Sequence, residues 1–173
     1  WHHLRRDFCQ LLDAQPTLVA HDLHPDHYAT RWARESGIPA IAVQHHHAHV
    51  AAAMLDQKWL DREVLGVAWD GTGYGPDGTI WGGEVLRASV TGFQRMARLR
   101  PFPLPGGEVS VREPWRVALT LLAEAIGTEA ALKFMTDRGW QRDALARMMT
   151  IASREHLWPL TSSMGRLFDA VAT

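Results

Sequence analysis

The sequence predicts an α/β layered domain followed by a mostly helical part. Two observations carry this expectation. Short apolar strands alternate with helical patterns in the order β-α-β-α-β as far as Trp69, and apolar spacing turns helical from Glu113 onward. Composition agrees, with 46% of 173 residues hydrophobic and 21% charged, enough to bury a core. The α/β part is expected over residues 1–100 and the mostly helical part over 101–173.

Leu4, Phe8, Leu11 and Leu12 recur at helical spacing, which predicts a helix from Leu4 to Ala14. Thr17 to Ala20, after Pro16, reads as a short buried strand and ends in the polar cluster His21 to His27. Pro25 suits a first helical turn, so a helix follows from about Asp26 to Ser36, stopped by Gly37 before Pro39. Ile38 to Val43 reads as a second buried strand. The Ala-rich stretch His45 to Trp59 has good helix propensity, and Val64 to Trp69 is a third strand.

Asp70 to Gly78 is turn chemistry, with Pro76-Asp77-Gly78 making a reversal. Thr79 to Ala88 reads as the return strand of a hairpin, Phe93 to Leu99 as another strand, and Pro101 to Gly107 as loop. Glu113-Pro114 stands near a helix start, with Val117, Leu121 and Leu122 at helical spacing. Thr161 to Thr173 opens on Ser/Thr caps and carries apolar Leu167, Phe168 and Val171.

Charge and composition exclude several classes. With 18 Lys+Arg against 19 Asp+Glu, no basic excess is available to neutralise phosphates, and no nucleic-acid partner is expected. The one cysteine, Cys9, excludes an internal disulfide framework and a Cys-only zinc site; it suits a reducing compartment, so a cytoplasmic location is expected. No apolar run approaches ~20 residues, so no membrane partner is expected, and Trp1 to Arg6 lacks a signal-peptide stretch. The missing initial Met, and a last helix ending on Ala172-Thr173 without a stop signal, lead to the expectation of an internal fragment.

Ten histidines are an excess, and four fall together at His45, His46, His47 and His49. Residues i and i+4 of a helix stand one above the other, so His45 and His49 can share one metal ion. His46 and His47 point roughly 100° and 200° away. The cluster follows a strand directly, at the end of a sheet where open α/β folds collect ligands. Asp70, ending the next strand, is the candidate third ligand. Two His and one carboxylate suit Fe(II), Zn(II) or Mn(II) without choosing among them. A zinc-protease reading fails, because His46 stands where the general-base Glu is required. His21, His24 and His27 read as a solvated loop.

Glycines occupy both arms of the predicted hairpin, in Asp70-Gly-Thr-Gly-Tyr-Gly75 and Trp81-Gly-Gly-Glu84. Backbone N–H groups at Gly71, Thr72 and Gly73, with the Thr72 hydroxyl, suit a phosphate cradle; a plain tight turn is the alternative. The run is neither a Walker loop nor the dinucleotide fingerprint.

Five ordered motifs span the chain: Ala20-His-Asp-Leu-His-Pro-Asp26, Val43-Gln-His-His-His-Ala-His49, Trp69-Asp-Gly-Thr-Gly-Tyr-Gly75 with Gly78-Thr-Ile-Trp-Gly-Gly-Glu84, Arg112-Glu-Pro-Trp-Arg116, and Ser162-Ser-Met-Gly-Arg-Leu-Phe-Asp-Ala-Val-Ala172. Together they resemble the HypF carbamoyltransferases of [NiFe] hydrogenase maturation, in the domain related to TsaD and TobZ. His27 stands where that family's first motif has Tyr.

The resemblance implies a ribonuclease-H-like fold of the actin and hexokinase superfamily, incomplete here. Residues 1–173 would form part of a TsaD-like domain, with one glycine-rich hairpin preceding Trp1 and a final phosphate loop and aspartate ligand beyond Thr173. It implies that carbamoyl phosphate and ATP yield carbamoyl adenylate in a separate domain, and that the carbamoyl group passes to the C-terminal cysteine of HypE, which dehydrates it to a thiocyanate, the source of the hydrogenase cyanide ligand. By position, His45, His49 and Asp70 match the family's metal ligands and Gly71 to Gly73 a nucleotide phosphate loop. Asp169 matches an acidic residue near the ribose. The expected cofactors are a divalent metal, iron or zinc, and the bound nucleotide. No residue is assigned as catalytic base; His46 and His47 are the candidates, weighed against structural roles. Two further readings stand beside this one: a non-catalytic fragment, and a TsaD- or TobZ-type transferase using another acceptor. The first and fourth motifs favour HypF over the second of these.

Overall fold

Strands β1 (Val19–Asp22) and β2 (Ala40–Val43) pair in parallel, with Asp22 opposite Val43, and the crossover between them is helix α2 (Tyr28–Glu35). In this computed structural model, which describes residues 2–154 and 157–173, these elements and the preceding α1 (His2–Leu11) belong to one compact unit over 1–45; residues 46–173 form a second. Gly37 stops α2 as expected, taking a φ of +70° just past the Ser36 cap, but Pro25 lies outside the first turn: the helix starts three residues later, at Tyr28, with His27 as its N-cap. Both strands are expected to be buried, yet Ala20 of β1 and Ala40, Ile41 and Ala42 of β2 are exposed. A two-stranded sheet under one crossover helix hides a single face, which α2 covers with Thr30 and Ala33.

The second unit is organised by an antiparallel meander of β3 (Val64–Tyr74), β4 (Ile80–Ser89) and β5 (Gly92–Arg98). Strand β7 (Leu160–Thr161) pairs in parallel with the start of β4, and β6 (Phe102–Pro103) pairs with β7. The segment expected as loop after Pro101 and the tail expected as helix thus each lend two residues to the sheet. Their pairing partners lie far away in sequence, beyond what local periodicity can register.

Helix α3 (His45–Asp56) lays Val50 and Met54 on Trp81, Leu86 and Ala88 of β4. Gly66 makes room, since a Cβ there would stand 2.5 Å from a Val50 methyl. A second core joins α5 (Trp115–Ile126), α6 (Thr128–Thr136) and α7 (Arg142–Ala152) through Leu119, Leu132, Met135, Leu145 and Met148. Short α4 (Val109–Arg112) precedes them. Helix α8 (Met164–Val171) opens on Ser163, whose hydroxyl accepts the Arg166 N–H, as its Ser/Thr lead-in predicts. Among the described residues no helix is long and apolar enough to cross a membrane.

Candidate functional site

Asp70 does not end its strand, as the turn chemistry after it suggests. Strand β3 continues to Tyr74, and Asp70 sits where pairing with β4 breaks between Trp69 and Gly73. The interruption is stabilised locally, because the Asp70 carboxylate accepts the Gly71 N–H at 2.6 Å in place of a ladder partner. The chain reverses later, between Gly75 and Thr79. Gly71 to Gly73 therefore belong to an irregular strand segment rather than to a free loop.

His45 and His49 are the first and fifth residues of α3, on one face as the helix period requires. Ligand-capable atoms of His45, His49 and Asp70 all lie within 4.8 Å of one another. Asp70 Oδ2 stands 3.6 Å from His49 Nε2 and 3.9 Å from His46 Nε2. His49 is largely exposed, and Asp70 and His45 are partly so. Two imidazoles and a carboxylate, reachable from solvent, fit a divalent first-row metal.

The intervening histidines turn inward. His46 is fully buried, its ring 6.3 Å from that of Trp81. His47 is buried beside Phe93 and its Nε2 donates to the Ser89 carbonyl at 2.8 Å. Both rings thus lie in the packed interface between α3 and the sheet. In the other set, His24 and His27 stack at 4.3 Å, and His21 Nδ1 donates to the Asp22 carbonyl at 2.7 Å.

The glycines of Trp81-Gly82-Gly83-Glu84 serve packing. A Cβ on Gly82 would stand 2.5 Å from the Asp70 carbonyl oxygen and 2.8 Å from Ser163 Cα, and one on Gly83 would stand 2.5 Å from the Ser162 carbonyl oxygen. Their bareness lets β4 approach the backbone that leads into α8. Ser163 closes the joint, its hydroxyl 2.7 Å from the Gly71 carbonyl and 3.0 Å from that of Asp70. Thr72 is exposed, with its hydroxyl donating to the Gly71 carbonyl at 2.6 Å.

Asp169 pairs with Arg166 at 2.9 Å, and the Arg166 guanidinium reaches Gly71, 3.3 Å from where a Cβ on that glycine would lie. Arg166 was not among the residues singled out from sequence, yet it brings positive charge to the segment expected to meet phosphate. The signal was its spacing, three residues before Asp169 on one helix.

A second missed feature is the network under the hairpin. Glu84, fully buried, accepts from Arg95 Nε at 2.6 Å, from the Ser162 hydroxyl and from the Gly82 N–H at 3.2 Å. Arg95 lies 3.8 Å over the Trp81 ring and donates to Asp77 at 2.9 Å. Partial burial pushes the Asp77 carboxyl up, but hydrogen bonds from Thr79 and Trp81 and the Arg95 charge outweigh it and hold the carboxyl at about 2. In the fourth motif Arg116 donates to Glu113 at 2.7 Å and lies over Trp115, which packs on Trp140 at 5.3 Å. That is the arrangement of a packed, salt-bridged helix start.

Residues 1–56 match the family described as "HypF Kae1-like domain", and residues 66–173 the one described as "Carbamoyltransferase, Kae1-like Domain, second subdomain". The chain is 46% identical over 175 residues to carbamoyltransferase HypF2 of Cupriavidus necator, covering 98% of this chain and 20% of that protein. It is 40% identical over 177 residues to carbamoyltransferase HypF of Synechocystis sp., covering 95% of this chain and 23% of the relative. The chain thus spans about a fifth of the length of these relatives. Full-length HypF, solved in its phosphate- and nucleotide-bound form, superposes with a TM-score of 0.83 at 37% identity, over 98% of this chain and 22% of that one. HypF of T. kodakarensis gives 0.81 at 28% identity, over 99% and 24%. The α/β fold is therefore that of HypF Kae1-like domains, consistent with the actin and hexokinase type. On the family matches to both of its parts, the chain belongs to the HypF carbamoyltransferases, within their Kae1-like domain.

Proposed function

We propose that this chain carries part of a carbamoyl-transfer site, acting on carbamoyl adenylate and delivering the carbamoyl group to the C-terminal cysteine of a HypE-type partner. The observation that carries the reading is the convergence of His45, His49 and Asp70 next to the Gly71–Gly73 segment. In the transfer, the cysteine sulfur forms a bond to the carbamoyl carbon, the bond from that carbon to the AMP phosphate oxygen breaks, and the thiol proton passes to solvent. A divalent ion, iron or zinc, held by His45, His49 and Asp70 would supply Lewis acidity at the site. Arg166, tied down by Asp169, meets phosphate charge beside Gly71, and Thr72 offers an exposed hydroxyl. Asp169 is partly exposed and remains available to a ribose hydroxyl. His46 and His47 support the site from within the core rather than moving the thiol proton. Cys9 as the lone cysteine suits a reducing compartment, so the reading places the reaction in the cytoplasm.

The test supplies the chain with carbamoyl adenylate, iron or zinc, and a peptide ending in cysteine. The expected result is S-carbamoyl peptide and AMP by mass spectrometry, lost in His49→Ala. Preferential carbamoylation of a tRNA adenosine or a sugar would overturn the acceptor. Transfer to none of these, with no metal uptake, would leave the non-catalytic reading.

A further inference from the structure

Asp22 belongs to the polar cluster His21 to His27 and to the first of the five motifs, and its position in the fold gives it a more specific task. It is the last residue of β1, and the parallel register sets it opposite Val43, two residues before α3 begins. Its Oδ1 accepts the His24 N–H at 2.7 Å, and the Thr30 hydroxyl donates to its carbonyl at 3.0 Å. Those bonds hold the residue on both sides and aim Oδ2 at His45, 3.1 Å from Nδ1. The carboxylate itself is about four-fifths buried.

We propose that Asp22 is a positioning residue for the metal site: by holding the Nδ1–H tautomer of His45 it leaves Nε2 as the ligating nitrogen. A carboxylate is acceptor-only, so Nδ1 must donate to it, and the lone pair then resides on Nε2. Metal-ligating histidines commonly owe both ring orientation and basicity to such a partner on the second nitrogen. The parallel pairing of β1 with β2 is the structural reason this partner comes from Asp22. This inference rests on the proposed metal role of His45.

The experiment uses the whole 173-residue chain as wild type and as Asp22→Asn. Asparagine retains an acceptor for the His24 N–H while presenting an amide N–H to His45 Nδ1, which favours the opposite tautomer. In metal-free protein, in a buffer alkaline enough to keep imidazole neutral, ¹⁵N NMR should find His45 protonated at Nδ1 in wild type and shifted towards Nε2 in Asp22→Asn. Competition with a chromogenic chelator should find zinc or cobalt bound about 10–100-fold more weakly by the variant. Wild-type His45 protonated at Nε2, or equal metal affinity in both proteins, would overturn the role of Asp22 while leaving the metal site standing. Correct tautomer in a wild-type chain that binds no metal would instead remove the metal reading, and the role of Asp22 with it. The wild-type tautomer measurement decides even where the variant fails to fold.

Discussion

Gly165 rests directly on Gly71: a Cβ at position 165 would stand 2.8 Å from Gly71 Cα and 3.2 Å from the Gly71 nitrogen. The first turn of α8 is thereby pressed against the irregular stretch of β3 that follows Asp70. Gly165→Ala should gain helix propensity of up to ~1 kcal/mol. It should lose more from the clash, because backbone atoms cannot swing aside as a flexible side chain can. A net loss of about 1–3 kcal/mol is expected by urea unfolding. Gly92→Ala is the control, since nothing lies within 4 Å of its added Cβ.

Removing a ligand should weaken metal uptake sharply without unfolding the chain. His49 is largely exposed and is not one of the buried core residues. His49→Ala should therefore melt close to wild type while its zinc affinity falls by about 100-fold or more. Asp70→Asn should weaken affinity as well, measured by equilibrium dialysis; full metal retention in both would exclude the proposed ligand set.

Glu84 is the most consequential buried charge of the hairpin. Glu84→Ala strands Arg95 over Trp81 with one carboxylate partner fewer and leaves the Ser162 hydroxyl and Gly82 N–H without their acceptor. Breaking such a pair costs about 3–5 kcal/mol, so a fall in Tm of many degrees is expected in a thermal melt. Glu84→Gln, which keeps an acceptor, should lose less.

Asp77 sets an acid limit on the same hairpin. Its carboxyl stands at about 2 in the fold against an ordinary 3.8, so its contribution is present above pH ~4 and disappears as pH falls towards 2. After allowance for solvent around this partly exposed group, that contribution is about 1 kcal/mol. Asp77→Asn should lower stability by this amount at neutral pH and converge with wild type near pH 2 in acid titrations followed by circular dichroism.

Most secondary elements follow from neighbouring residues, and so do two of the three candidate metal ligands. Helical period alone puts His45 and His49 on one face, the Gly37 stop follows from φ, and Ser163 declares itself as a cap. These features depend on the residues beside them, so spacing reveals them. The arrival of Asp70 at an interruption inside β3, the pairing of Asp22 with His45 across 23 residues and the contact of Gly165 with Gly71 depend on how distant segments pack. Packing likewise turned His46 and His47 into the core and set Gly82 and Gly83 against the backbone that leads into α8. Residues far apart along the chain leave no periodic trace of their meeting; close-packing of helix against sheet selects which of them touch.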